Sequence, residues 1–99
     1  MGMSRNSERS DWLPDAVDRR LICYARPICP LCDEVKPVLR RLAAEFSLDL
    51  EIRNVEDDPE WERRYGGQIP VAFVGRTKLF KYRSTELELR GRIELALAE

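Results

Sequence analysis

The chain contains no histidine, and that absence alone removes imidazole acid–base chemistry and the commonest transition-metal ligand. Cysteine is scarce and odd in number, three in 99 residues. That count suits one working pair in a reducing compartment better than a secreted disulfide framework. Net charge is nearly absent too. The 17 basic and 18 acidic residues leave a formal −1, so no bulk electrostatic hold on nucleic acid or an anionic membrane is expected. The first eighteen residues lack the continuous apolar run that a signal peptide or spanning helix requires. A cytoplasmic protein without membrane or nucleic-acid partners is the expectation. The length allows one core and not two.

What is present sorts into a tail and one domain. Residues 1–18 are rich in Ser, Arg, Asn, Glu and Asp, with only Trp12, Leu13 and Val17 as apolar anchors, and read as a polar tail. The domain is expected over 19–99. Leu21-Ile22-Cys23-Tyr24-Ala25 is a short apolar run between two arginines and Pro27, the profile of a strand buried on both faces. Val35, Val38, Leu39, Leu42, Ala43 and Phe46 recur at the spacing of one helical face, predicting a helix over about 30–46 with a kink at Pro37 rather than an end. Leu48, Leu50 and Ile52 alternate with charged residues and predict a strand whose apolar face meets the core. Strand, helix and strand in that order imply a crossover with the two strands parallel.

The second half carries clearer punctuation. Asp58-Pro59 supplies an N-cap and a first-turn proline, Trp61 and Tyr65 an apolar edge, and Gly66-Gly67 a left-handed stop. Val71–Val74 reads as a buried strand joined to Thr77–Tyr82 through Gly75-Arg76 as a hairpin. Thr85-x-x-Glu88 is a capping box opening a last helix, with Leu89, Ile93, Ala96 and Leu97 on one face and Gly91 as its weak point. Together these elements give an α/β domain in the order β-α-β-α-β-β-α, a four-stranded mixed sheet flanked by helices.

Chemistry concentrates at Cys29-Pro30-Leu31-Cys32. A cysteine at a helix N-terminus meets unpaired N–H groups and the positive end of the helix dipole, which favour thiolate over thiol. Pro30 suits the first helical position because its N–H would be unpaired there anyway. Cys32, one turn further in, can close on Cys29 once a mixed disulfide has formed. The same spacing is half of many zinc sites, but here the other half is missing: a closed site would need carboxylates or a second chain. Two inert buried thiols are the bland alternative. Arg26 either adds charge near the thiolate or holds an anionic group of the substrate, or is simply a solvated surface residue. Cys23, mid-strand in an apolar run, reads as a small core hydrophobe. Ile69-Pro70 heads a strand, a position where a proline is tolerated and where a cis bond would be a specified feature.

This order of elements over residues 20–99 resembles the thioredoxin fold in its compact glutaredoxin form. Tyr24-Ala25-Arg26-Pro27-Ile28-Cys29-Pro30-Leu31-Cys32 resembles the segment in which glutaredoxins carry a basic residue three places before the reactive cysteine. Gln68-Ile69-Pro70 sits where the family has its cis-proline turn. The stretches from Glu34 to Val38-Leu39 and Arg64-Tyr65-Gly66 are similar to small bacterial glutaredoxin-like proteins. The resemblance implies a thiol-disulfide oxidoreductase with Cys29 as nucleophile and Cys32 as resolving thiol. It also implies a substrate groove shaped by Arg26, Pro30, Leu31, Ile69 and Pro70. A protein disulfide or glutathione would be the substrate and a separate reductant the electron source; no resident cofactor or metal and a monomer are expected. Two departures stand out. Leu31 replaces the usual tyrosine, and Phe80-Lys81-Tyr82-Arg83 stands where the family has a Gly-Gly turn that helps hold glutathione. Phe80 or Lys81 is therefore expected to crowd the groove, with Lys81 or Arg83 placed to attract a carboxylate. A non-catalytic thioredoxin-like binding module, and a dimer bridged by a metal or iron–sulfur cluster, remain the alternatives to an enzyme.

Overall fold

A computed structural model describes residues 19–98; the tail expected over 1–18, with Trp12, Leu13 and Val17, lies outside the described residues. Strand β1 (Arg20–Ala25) leads to helix α1 (Pro30–Glu45), strand β2 (Asp49–Asn54) and helix α2 (Pro59–Tyr65). The hairpin strands β3 (Val71–Val74) and β4 (Thr77–Lys81) follow, then helix α3 (Glu86–Ala98), with short 3₁₀ turns at Val55–Asp57 and Gly66–Gln68. The sheet order is β2-β1-β3-β4. β1 runs parallel to β2 and antiparallel to β3, and β3 pairs antiparallel with β4. The expected order and the mixed four-stranded sheet are thus both present.

Local chemistry explains the boundaries. α1 continues through Pro37 and ends where Ser47 turns left-handed at φ 56. There the Leu48 N–H donates to the Ala43 carbonyl at 2.8 Å and the Ser47 N–H to Ala44 at 3.3 Å, the paired bonds of a Schellman stop. Asp58 Oδ1 accepts from the Glu60 N–H at 2.8 Å, capping α2 as the sequence implies. The Thr85–Glu88 box closes in both directions. The Glu88 N–H donates to Thr85 Oγ1 at 3.1 Å and the Thr85 N–H to Glu88 Oε1 at 3.2 Å, satisfying two donors that would otherwise be orphaned at the helix start. Gly75, at φ 59, supplies the hairpin turn.

Alternation along β1 divides the interior. Leu21 and Cys23 face one way, into an aliphatic core with Leu39, Leu42, Leu79, Leu89 and Ile93 from α1, β4 and α3. Ile22 and Tyr24 face the other way, into a smaller cluster with Val55, Val71, Trp61, Tyr65 and Phe73. A register shift between Ala72 and Phe73 lets β4 place both Leu79 and Phe80 in the aliphatic core, as a bulge that puts two residues against one permits.

Two expectations need correction. β2 is an edge strand, so its apolar face is only partly covered: Leu48 is buried and Leu50 half-buried, but Ile52 is exposed. Gly66-Gly67 does not stop α2 in a left-handed turn. Gly66 is right-handed at φ −55, ψ −30, and the chain tightens into a 3₁₀ turn. What crowds position 66 is the end of a neighbouring side chain. A Cβ there would lie 2.0 Å from Glu62 Oε2 and 3.0 Å from the Arg26 guanidinium.

Candidate active site

Cys29 is the residue that begins α1 without being part of it. Its backbone is extended (φ −155, ψ 104), Pro30 occupies the first helical position, and Asp33 lies in the first turn. The Cys29 carbonyl accepts from the Asp33 N–H at 3.0 Å, and its sulfur accepts from the Cys32 N–H at 3.2 Å. The sulfur therefore takes the place a serine or aspartate oxygen has at an ordinary helix cap, where the exposed N–H dipoles attract negative charge. Cys29 is half-buried while Cys32 is 0 % exposed. One thiol is thus open to a partner and the other is screened from it.

The three thiols differ in their electrostatics. Cys32 is pushed up to about 11, first by burial, then by its hydrogen bond with Cys29 and the nearby Cys29 charge; a main-chain hydrogen bond from Arg26 and the Lys36 ammonium act the other way. Cys23 is pushed up to about 12, chiefly by burial. It lies on β1 between Ile52 and Ala72, wholly inside the aliphatic core, in accord with its reading as a core residue.

A groove of about 530 Å³ opens beside Cys29, bordered by Arg26, Ile28, Leu31, Ile69, Tyr82 and Arg83, with Pro30 and Gly67 at its edge. Ile28 is 94 % exposed there. The Ile69-Pro70 bond is cis; Ile69 borders the groove, while Pro70 is buried beneath it. Pro30, Leu31 and Ile69 are therefore brought together beside Cys29, while Pro70, expected to shape the groove, is not among the residues that line it. Arg26 is there as well, but its guanidinium is engaged: it grips both Glu62 oxygens at 2.8 and 2.6 Å and the Gly66 carbonyl at 3.1 Å, with Glu56 at 3.8 Å. That bidentate grip fastens α2 to the turn after β1, and it places the Glu62 carboxylate where a side chain at 66 would have to push it aside.

Tyr82 is the groove residue that sequence reasoning did not assign. Phe80, expected to crowd the site, is buried in the core, and Tyr82 with Arg83 takes that place instead. Tyr82 has φ 69, and the Arg83 N–H donates to the Lys81 carbonyl across it at 2.8 Å, the pattern of the rarer, strained γ-turn. A tyrosine in that region costs on the order of 1–2 kcal/mol. Two bonds hold it there. The Tyr82 N–H donates to the Pro70 carbonyl at 2.7 Å, and its phenol reaches over to the Gly67 carbonyl at 2.6 Å. The Lys81 ammonium lies 5.7 Å from the ring centre. The lack of glycines at 80–83 was the signal available in the sequence, and reading it at Phe80 placed the crowding two residues before Tyr82.

Among the described residues, no three His, Cys, Asp or Glu side chains are grouped to hold a metal ion. No helix among them is long and apolar enough to cross a membrane.

A mixed sheet with β1 and β2 parallel, a two-cysteine helix start after β1 and a cis-proline turn facing it are the features of a thioredoxin-like protein. The glutaredoxin-like domain (DUF836) matches residues 20–94, and the chain belongs to that family. Among solved structures, the Northeast Structural Genomics target protein XcR50 from X. campestris is similar at 27% identity, covering 76% of this chain and 96% of that one with a TM-score of 0.63. Protein Ne2328 from Nitrosomonas europaea is also 27% identical, covering 73% and 87% with a TM-score of 0.60. Thioredoxin 1 from Thermosipho africanus shares the fold at 17% identity, covering 80% and 94% with a TM-score of 0.61. No curated protein matches the chain.

Proposed function

We propose that this protein is a thiol-disulfide oxidoreductase in which Cys29 attacks and Cys32 resolves. The observation that carries the reading is the placement of the Cys29 sulfur: half-exposed at the N-cap of α1, accepting the Cys32 N–H at 3.2 Å, and open to the groove that Ile69 borders. In the first step the Cys29 thiolate attacks a substrate disulfide. One Cys29–substrate bond forms, the substrate S–S bond breaks, and the departing sulfur leaves as a thiolate that takes up a proton.

The second step depends on the buried thiol. While Cys29 is free, burial and the Cys29 sulfur together keep Cys32 protonated. Once Cys29 is in a mixed disulfide its charge is gone, so only burial still opposes ionisation of Cys32. Cys32 then loses its proton and attacks Cys29, expelling the second substrate thiolate and leaving a Cys29–Cys32 bridge. A separate thiol reductant returns the pair to the dithiol. Ile69 and Leu31 shape the groove, and Arg26 acts on the site by positioning the turn before Cys29. Disulfides borne by proteins, or glutathione mixed disulfides, are the substrate classes.

Replacing Cys32 with Ser tests the reading directly. The variant is expected to accumulate a mixed disulfide through Cys29 when mixed with oxidised substrate, detectable as a mass increase reversed by dithiothreitol. Recovery of unmodified protein, with Cys29 still fully alkylatable, would sink the assignment.

A further inference from the structure

The side of α3 turned away from the sheet carries Leu87, 76 % exposed, and Leu95, 68 % exposed. Gly91 lies midway between them, and a Cβ added there would meet nothing within 4 Å. These three residues recur at four-residue steps, so they form one stripe along the helix, opposite the fully buried Leu89 and Ile93. Glycine is the weakest helix former short of proline. The backbone at 91 is helical and the space beside it is open, so neither a turn nor crowding among the described residues calls for glycine there. What it does provide, on an outer face, is room for a second backbone to come close.

The stripe also matches itself. Leu87-Glu88-Leu89-Arg90-Gly91-Arg92-Ile93-Glu94-Leu95 reads the same from either end, with Ile93 answering Leu89. A two-fold interface needs one patch that is its own complement, and a helix turned end over end about Gly91 supplies it. We propose that a second copy of the chain docks on this stripe, α3 antiparallel to α3, to form a weak two-fold dimer. Leu87 of each copy then lies against Leu95 of the other, and the two helix dipoles run in opposite directions. At about 3.6 residues per turn, Glu88 and Arg92 fall on one edge of the stripe and Arg90 and Glu94 on the other. Antiparallel docking brings Glu88 of one copy beside Arg92 of the other, and Glu94 beside Arg90. Arg90 is already gripped by Glu45, and Arg92 donates to the Leu79 carbonyl, so the edges set the register while the leucines supply the affinity. A helix of 13 residues is about 20 Å long. One such pair buries less than a standard interface, which places the dissociation constant on the order of 0.1 mM. The monomer expected from the sequence is the dilute form. None of these residues borders the groove beside Cys29, so docking on α3 and redox chemistry at the thiol are independent.

Sedimentation equilibrium of the full chain tests this between about 10 µM and about 1 mM, with dithiothreitol present so that no interchain disulfide contributes. The weight-average mass of the wild type is expected to climb from that of one chain toward that of two. Leu95→Lys puts a charge into the stripe, and Gly91→Gln fills the close approach with a better helix former. Each variant, first checked for an intact urea transition at the dilute end, should associate at least ten-fold more weakly than wild type. A wild type that keeps the mass of one chain up to about 1 mM would leave the stripe to a different partner and overturn the proposal. Variants that associate as tightly as wild type would overturn it too, since the contact would then lie elsewhere on the molecule.

Discussion

The two faces of the sheet are closed by different chemistry. Against α1 and α3 the contacts are aliphatic and fully buried, with Leu21, Leu39, Leu42, Leu79, Leu89 and Ile93 at 0 % exposure. Ion pairs such as Arg41–Glu86 at 2.8 Å and Arg90–Glu45 at 2.9 Å lie only at the rim. Against α2, which buries no residue fully, the contacts are rings and cations. Tyr24 stacks on Tyr65 at 4.0 Å, and the Arg53 guanidinium lies 5.1 Å from the Trp61 ring and 5.7 Å from Tyr24 while donating to the Tyr24 hydroxyl at 2.9 Å. Hydrocarbon burial is non-directional and sets overall stability; stacked rings and guanidinium bonds are directional and set where a loop sits. The first face should therefore govern whether the chain folds, and the second how the turn before Cys29 is held.

That division can be broken or sharpened by substitution. The largest effect is expected from Leu39→Ala, which empties a fully buried position and should cost about 3 kcal/mol in urea unfolding; a loss below about 1 kcal/mol would mean the aliphatic face is not the main support. Trp61→Ala, on the half-buried ring cluster, should cost about 2 kcal/mol by the same measurement. Gly91 has open space around its Cα, so Gly91→Ala should stabilise α3 by about 0.5–1 kcal/mol, read as a rise in the urea midpoint.

Burial also predicts a pH signature on the aliphatic face. The Cys23 thiol is raised from 9.0 to about 12 in the folded chain. The neutral form is thus favoured on folding: its contribution is fully present below pH 9.0 and is lost progressively as pH rises toward about 12. Cys23→Ala should show a shallower decline in stability than wild type over that window, and identical slopes would mean Cys23 is not screened from water. The smallest stability effect belongs to Glu62→Gln on the other face. Its midpoint should stay close to wild type because the pair is solvent-exposed. Amide exchange at residues 66–69 and the rate of Cys29 alkylation should both rise modestly as Arg26 loses the bidentate part of its hold, and unchanged values would detach α2 from the site.

Much of this was legible in the sequence because local signals and tertiary fate agreed. The cysteine pair with its intervening proline marked the helix start, the Thr85–Glu88 spacing marked α3, and Asp58-Pro59 marked α2, each through short-range hydrogen bonding that the residues themselves specify. At Gly66 the residue type suggests backbone freedom, whereas its backbone is right-handed and what crowds it is the Glu62 carboxylate that Arg26 holds in place. Alternation told which face Ile52 occupies but not that the sheet ends at β2. Tyr82 was the least visible, since nothing in the residue type of a tyrosine announces a left-handed backbone; only the bonds to Pro70 and Gly67 account for it.

The close approach at Gly66 couples it to the Arg26–Glu62 pair. A Cβ at 66 must push the Glu62 carboxylate aside, which loosens one hold on the guanidinium three residues ahead of Cys29 while its contacts with the Gly66 carbonyl and Glu56 remain. A library at position 66 alone should therefore favour small residues, and one that varies 62 and 66 together should admit larger ones.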